Sequence, residues 1–290
     1  MPRLDIHFGD NLDVLRTLPD ASVELIYIDP PFNTGRVQRR TQISVKPDAA
    51  GDRRGFGGRA YRTVKLGTRA YADLFDDYLL FLEPRLVEAR RLLQPHGSLM
   101  LHLDAREVHY AKVLLDLLFG RASFINEIIW AYDYGARSRR RWPAKHDTIL
   151  WYARDPKRYV FNLDACDRIP YMAPGLVSPE KAARGKTPTD VWWHTIVSPT
   201  GREKTGYPTQ KPRGILDRIV KVHSTPGARL LDFFAGSGSF GAAAWDLGRD
   251  CILVDSNPQA METMQKRFAN CPAVWHGWPL ENARKAKRKT

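Results

Sequence analysis

The chain has 290 residues, 43% of them hydrophobic, enough to bury one full core that carries an insertion. Lys and Arg number 45 against 32 Asp and Glu, a surplus of +13 that points to a polyanionic partner, with nucleic acid the commonest. Cys166, Cys251 and Cys271 have neither disulfide nor zinc spacing, and no apolar run reaches membrane-spanning length or forms a signal-peptide core. These features argue for a reduced, intracellular protein.

Leu4 to Phe8 alternates as a strand does, Gly9-Asp10 follows, and Asn11 to Leu18 has helical spacing. Asp10 is either the cap of that helix or a ligand contact at a strand end. Val23 to Ile28 reads as a short buried strand, and it ends in Asp29-Pro30-Pro31-Phe32. Two successive prolines remove two backbone donors and fix two φ angles, so the chain leaves the strand in a stiff, extended turn. That turn aims a carboxylate, the carbonyl of Pro30 and an aromatic face away from the strand's carboxyl end. Two adjacent acceptors suit an amine with two hydrogens, and the ring suits the flat heterocycle that carries it. The plainer reading is a Pro-Pro turn with a solvated Asp.

From Arg36 to Arg69 the periodicity is lost among cations and Gly51, Gly55, Gly57, Gly58 and Gly67. Glycine at this density predicts a basic loop over 36–70 without packed elements, with Arg36, Arg39 and Arg40 available to phosphates; a solvated, disordered insertion is the alternative. Tyr71 to Leu93 has helical spacing with a kink or break expected at Pro84. Strands follow at 97–103 and 124–130, separated by a helix at 107–119. This alternation predicts a parallel sheet with helices on its faces. His102 and His109 read as structural. Tyr132 to Trp142 interleaves cations with rings: Arg137, Arg139, Arg140 and Arg141 suit phosphates, and the rings suit unstacked bases. A solvated surface loop is the alternative. One more strand is expected at 146–152, and Trp192-Trp193 is expected in the interior.

Thr209-Gln210-Lys211-Pro212 precedes a helix at 212–223, with Lys211 placed to meet a ligand carboxylate. The strand at Arg229 then runs into Asp232-Phe233-Phe234-Ala235-Gly236-Ser237-Gly238, and a helix begins near Ser239. Glycines admit close backbone approach to a ligand, and the helix start offers free N–H donors. Asp255 closes the next strand, 251–254, where a carboxylate accepts hydrogen bonds from ribose hydroxyls, and Ser256 follows it. A helix at 258–268 and a basic tail complete the chain.

Asp29-Pro30-Pro31-Phe32, continued by Asn33-Thr34-Gly35, resembles the catalytic motif of DNA amino-methyltransferases, which methylate exocyclic nitrogens of adenine or cytosine. Thr209-Gln210-Lys211-Pro212 and Phe233-Phe234-Ala235-Gly236-Ser237-Gly238 are similar to that family's cofactor segments. Their order is that of its β class. The resemblance implies an α/β, Rossmann-like methyltransferase fold with permuted motif order: a mostly parallel central sheet with helices on both faces and an inserted target-recognition region. It divides the chain into a catalytic half (1–130), a target-recognition region (131–205), a cofactor half (206–275) and a tail (276–290).

The resemblance further implies that Asp29, Pro30, Pro31 and Phe32 are catalytic. It implies that Asp10, Asp29, Lys211, Phe233, Ala235, Gly236, Ser237, Gly238, Asp255 and Ser256 contact S-adenosylmethionine, with no metal. Double-stranded DNA in the bacterial cytoplasm is the expected partner, while a homodimer and a cognate restriction endonuclease stay open. In the family, Asp at the first motif position goes mostly with adenine N6, so adenine is expected, with cytosine N4 the alternative. Gly236, Gly238 and Gly241 with Asp255 also meet the dinucleotide fingerprint, which leaves an NAD-dependent oxidoreductase as a remote reading. That motif lies in the last quarter of the chain, with no room behind it for a substrate domain. No Cys follows a Pro, which argues against C5-cytosine chemistry.

Overall fold

The computed structural model describes residues 2–33, 36–48, 53–54, 60–73, 77–133, 137–198, 201 and 203–279; between 36 and 73 it describes side chains at Asp48, Ala60 and Arg62 only. In order, the chain forms β1 (Leu4–Phe8), α1 (Asn11–Thr17), β2 (Val23–Ile28), β3 (Arg36–Pro47), β4 (Arg53–Arg54), β5 (Ala60–Asp73), α2 (Tyr78–Leu92), β6 (Leu93–Leu103), α3 (Val108–Phe119), β7 (Phe124–Ala131) and β8 (His146–Ala153). It continues with α4 (Pro179–Arg184), β9 (Val191–Trp193), α5 (Arg213–His223), β10 (Arg229–Asp232), α6 (Ser239–Asp246), β11 (Asp250–Asp255), α7 (Pro258–Arg267) and β12 (Val274–His276). Two compact units result: Met1–Pro30 with Asp77–Thr290, and Pro31–Asp76.

The larger unit is built on a nine-stranded sheet in the order β12-β1-β11-β10-β2-β6-β8-β7-β9. All its pairings are parallel except those of β8 with β6 and β7. From β1 to β2 to β6 the chain moves one way across the sheet, and from β9 to β10 to β11 it moves the other way. Right-handed crossovers then put α1, α2 and α3 on one face and α5 and α6 on the opposite face. The two directions part between β2 and β10, a switch point whose carboxyl ends form a crevice for ligands. Val23, Leu25, Ile26 and Ile28 are buried, as are Leu230 and Leu231 on β10, so the crevice floor is rigid apolar sheet.

Helix starts follow their capping residues: Asp10 Oδ1 accepts from Leu12 N at 2.8 Å, and Asp77 Oδ1 accepts from Leu80 N at 3.0 Å. α2 therefore begins after Asp77, and Pro84 lies inside it without ending it. Tyr71–Asp73, expected in that helix, belong to β5 instead.

The smaller unit corrects a second expectation. Where glycine density predicts a loop over 36–70, β3, β5 and β4 form a three-stranded antiparallel sheet. Val37, Thr41, Ile43 and Val45 on β3, and Tyr61, Thr63 and Val64 on β5, are good strand formers. Most of the glycines fall between the strands, and Gly67 adjoins a register shift at Gln42/Ile43. The side chains of Arg36, Arg39 and Arg40, and residues 280–290 of the basic tail, lie outside the described residues. Trp192-Trp193 is corrected too: strand alternation buries Trp192 (7% exposed) and turns Trp193 out (73% exposed).

Candidate active site

The carboxyl ends of β1, β11, β10 and β2 lie side by side, and they present Asp10, Asp255, the turn 233–238 and Asp29 in that order. The turn is tied down by backbone pairing. Ala235 N donates to Val254 O at 3.1 Å, Gly238 N to Ala235 O at 2.7 Å, and Phe234 N to the Asp232 carboxylate at 3.0 Å. Gly236 has φ +49°, and a Cβ there would lie 3.0 Å from Cε1 of Tyr207, so the glycine lets an aromatic ring close over the turn. At Gly238 (φ +70°) a Cβ would lie 2.8 Å from Cγ of Met264 on α7. Arg267, also on α7, holds the turn from below through Nε to Ser237 O at 2.7 Å. Burial lowers its pKa to about 10.

Asp255 serves the same turn. Its Oδ2 accepts from Gly236 N at 2.7 Å and its Oδ1 from Asn257 N at 2.8 Å. Burial nevertheless dominates and pushes its carboxyl up to about 6, against these bonds and one from the Ser256 N–H. The Ser256 side chain is exposed. Asp232 is driven well above the ordinary carboxylate range, first by burial and then by the charges of Asp29 and Asp255.

Asp10 caps α1 and also pairs with Arg85 of α2, Nη2 to Oδ2 at 3.1 Å. Arg85 Nε donates to Asn11 Oδ1 at 2.6 Å, and Asn11 Nδ2 donates to Phe233 O at 2.7 Å. One buried relay thus joins α2 to the cofactor-type turn. Asn11, Arg85, Tyr207 and Arg267 escape a motif reading because no local pattern marks a side chain whose partner is distant in sequence.

Asp29 projects past the end of β2. Lys211 Nζ donates to its Oδ2 at 2.6 Å, and the two side chains are only 11% and 13% exposed. Lys211, expected to meet a ligand carboxylate, therefore holds the Asp29 carboxylate in this structure. The other oxygen, Oδ1, is buried without a hydrogen-bond partner among the described residues. Beneath Asp29, Tyr27 OH meets His102 Nδ1 at 2.8 Å, and His102 Nε2 meets Asp147 Oδ2 at 3.3 Å. Tyr132 OH donates to Asp147 Oδ1 at 3.2 Å. Burial raises the Asp147 pKa, but the His102 bond and charge and the charge of Lys211 outweigh it, so the carboxyl lies below its ordinary value.

Pro30 ends the larger unit, and Pro31 and Phe32 open the smaller one. Phe233 is fully buried under the turn, and Ala235 is 6% exposed. Ser237 Oγ is hydrogen-bonded to Ser239 Oγ at 2.9 Å. Arg137, Arg139, Arg140 and Arg141 are exposed on the connection from β7 to β8. Among the described residues no group of three or more His, Cys, Asp or Glu is placed to hold a metal ion, and no helix is long and apolar enough to cross a membrane.

A family model described as DNA methylase matches residues 23–266. The chain is 28% identical over 257 residues to type II methyltransferase M.HpaI of Haemophilus parainfluenzae, covering 89% of this chain and 71% of that protein. It is 28% identical over 290 residues to the DNA adenine methyltransferase YhdJ of Escherichia coli (strain K12), covering 97% and 87%. Among solved structures, M1.HpyAVI in complex with SAM superposes with a TM-score of 0.59 at 20% identity, covering 91% of this chain and 98% of that one. The cytosine-N4-specific PvuII DNA methyltransferase gives 0.57 at 13% identity, covering 94% and 95%. At these identities the structural likeness speaks for the fold.

Proposed function

The chain belongs to the DNA methylase family, and we propose that it methylates an exocyclic amine in double-stranded DNA, N6 of adenine rather than N4 of cytosine. The observation that carries this reading is the state of Asp29: one oxygen is fixed by Lys211 and the other is a buried acceptor without a donor among the described residues. An –NH₂ group supplies the missing donor.

S-adenosylmethionine is the methyl donor, and when bound it supplies an electrophilic methyl group on a sulfonium. The residues fit it. The glycines at 236 and 238, both at positive φ, bring bare backbone to the crevice, and α6 starts directly after them. Asp255 and Asp10 are the acceptors for hydroxyls. Lys211, which carries two further N–H donors beside the one it gives to Asp29, is the cation for a carboxylate. Ala235, Ser237 and Ser256 complete the wall, with Phe233 supporting it from beneath.

In this reading Asp29 Oδ1 and the Pro30 carbonyl accept the two amine hydrogens. Their pull localises on nitrogen a lone pair that is otherwise delocalised into the base. The carboxylate also stabilises the positive charge that grows on nitrogen. Lys211 fixes the carboxylate plane, so the attacking atom is held in line without a covalent enzyme intermediate. The base must leave the duplex to reach this depth, at a cost of a few kcal/mol, and the ring of Phe32 is assigned to stack on it. Residues 131–205 are assigned to target recognition, and 1–130 and 206–275 to the two catalytic halves. An Asp at the first motif position and the resemblance to YhdJ favour adenine.

The test is to incubate the protein with duplex DNA and S-adenosylmethionine, digest to nucleosides and weigh them. N6-methyl-2′-deoxyadenosine is expected. N4-methylcytosine alone overturns the base assignment, and unmodified DNA overturns the function.

A further inference from the structure

The chain has eight tryptophans. Trp130, Trp151 and Trp192 are buried, and Trp245, Trp275 and Trp278 pack against the core. The remaining two, Trp142 (94% exposed) and Trp193 (73% exposed), stabilise no part of the fold by burial. Both belong to the same edge of the sheet. β7 runs in the direction of β2, since β6 pairs parallel with β2 and β8 reverses twice between β6 and β7. The connection that carries Trp142 therefore leaves the edge that carries Asp29, and Trp193 ends β9 beside Ala131 at that edge.

The connection is anchored at its base. Tyr132 N donates to Lys145 O at 2.9 Å, and Lys145 Nζ donates to Asp133 O at 3.3 Å. Ser138 Oγ accepts from Arg140 N and Arg141 N at 3.2 Å each, which turns the chain just ahead of Trp142. The Tyr132 hydroxyl, through Asp147 and His102, reaches Tyr27, two residues before Asp29. Among the described residues none of Arg137, Arg139, Arg140 and Arg141 has a carboxylate partner, so four cations stand just ahead of one exposed indole. Trp193 has Trp192 and His194 as its chain neighbours and no such arginines.

Resting on the DNA reading of the active site, we propose that Trp142 stacks into the duplex at the place vacated by the rotated target nucleotide. Rotating a base out leaves its neighbours with an uncovered face, and a flat indole inserted there covers it. The adjacent arginines hold the backbone phosphates on either side, so the ring is presented at a fixed depth. Trp142 thus acts as a positioning residue: it favours the state in which the amine reaches Asp29, and it touches neither the amine nor the methyl donor.

The experiment uses the full chain and a duplex of the sequence it methylates, found by sequencing DNA from expressing cells, with 2-aminopurine at the target position. The wild type should raise 2-aminopurine emission on binding. Trp142→Ala should abolish most of that rise and weaken binding by about 5- to 150-fold, the range spanned by the loss of one base–aromatic stack. Trp142→Phe should restore much of the rise, and Trp193→Ala should leave it intact. Affinity for S-adenosylmethionine should be unchanged in all three variants. Full emission and methylation in Trp142→Ala, beside a wild type that methylates DNA, overturns this inference alone. The same holds if Trp193→Ala shows the loss instead. A wild type that leaves DNA unmethylated overturns the functional reading along with it.

Discussion

Two stretches of one sheet edge are built on opposite plans. Over β1, β11, β10 and β2 the polar groups are buried and cross-braced, with Asp255 on the Gly236 amide, Asn11 on the Phe233 carbonyl, Arg267 on the Ser237 carbonyl and Lys211 on Asp29. Over β8, β7 and β9 the edge carries exposed cations and indoles whose side chains hold little of the fold. The first plan fixes geometry, because moving any member strands a buried partner. The second leaves side chains replaceable at little cost to folding. Under the proposed function, chemistry and recognition are thus separated along one edge, and substitutions on either side of the divide should behave differently.

The largest effect is expected at Asp29. In the proposed mechanism Asp29→Ala removes the acceptor that acts on the amine, so it should lower turnover by about 10²- to 10³-fold, the scale seen when one preorganised electrostatic group is removed. Binding of S-adenosylmethionine, followed by calorimetry, should change far less. Near-normal methyl transfer in a radiolabel assay would contradict the assignment.

Lys211→Met leaves the Asp29 charge buried without its partner. Breaking one side of such a pair costs roughly 3–5 kcal/mol, read as a clear fall in the unfolding midpoint. Adding Asp29→Asn should recover part of that stability, because the stranded charge is then gone. If the double variant is less stable than Lys211→Met, the ion pair is not what holds this corner together.

Asp255 connects the fixed edge to pH. Burial raises its carboxyl from 3.8 to about 6. Between those values the folded chain keeps a proton that the unfolded chain has released, so this group's contribution to stability falls as pH rises through that window. Cofactor hydroxyls require the ionised form, so affinity for S-adenosylmethionine should rise across the same window and level off above it. Asp255→Asn should remove this group's part of the stability slope and flatten the binding profile, with about 10- to 100-fold weaker binding at neutral pH. A wild-type binding profile that is flat between pH 4 and 7 would rule out Asp255 as the hydroxyl acceptor.

What the sequence reveals of this edge follows from what is local. Pro30-Pro31 and Gly236-Ser237-Gly238 constrain the backbone where they stand, so the turn after β2 and the turn after β10 are legible in a few letters. The braces are not, since Arg85 reaches Asn11 across 74 residues and Asn11 reaches Phe233 across 222. β3 and β5 are hidden for a different reason: glycines concentrated in their connections mask the alternating strand formers beside them. Trp192-Trp193 looks like one buried aromatic pair until a strand turns the two rings to opposite faces.

The smallest effect tests the arginines of the exposed half of the edge, where nothing but their charge is at stake. Arg139, Arg140 and Arg141 contribute backbone to the Ser138 turn and side chains to solvent. Replacing all three with Ala should therefore leave the unfolding midpoint and the S-adenosylmethionine affinity where they are. DNA binding should respond through its salt dependence. Each phosphate that is no longer neutralised lowers the slope of log affinity against log salt by about 0.9, so the triple variant should lose up to roughly 2.7. At low salt the affinity should fall for every DNA sequence alike, because phosphate contacts carry no base information. A slope equal to that of the wild type would move the DNA surface to another basic stretch, with the cations of 36–69 the first to replace. A fall in the unfolding midpoint would mean that the exposed edge is braced after all, and the division of labour along the sheet would fail.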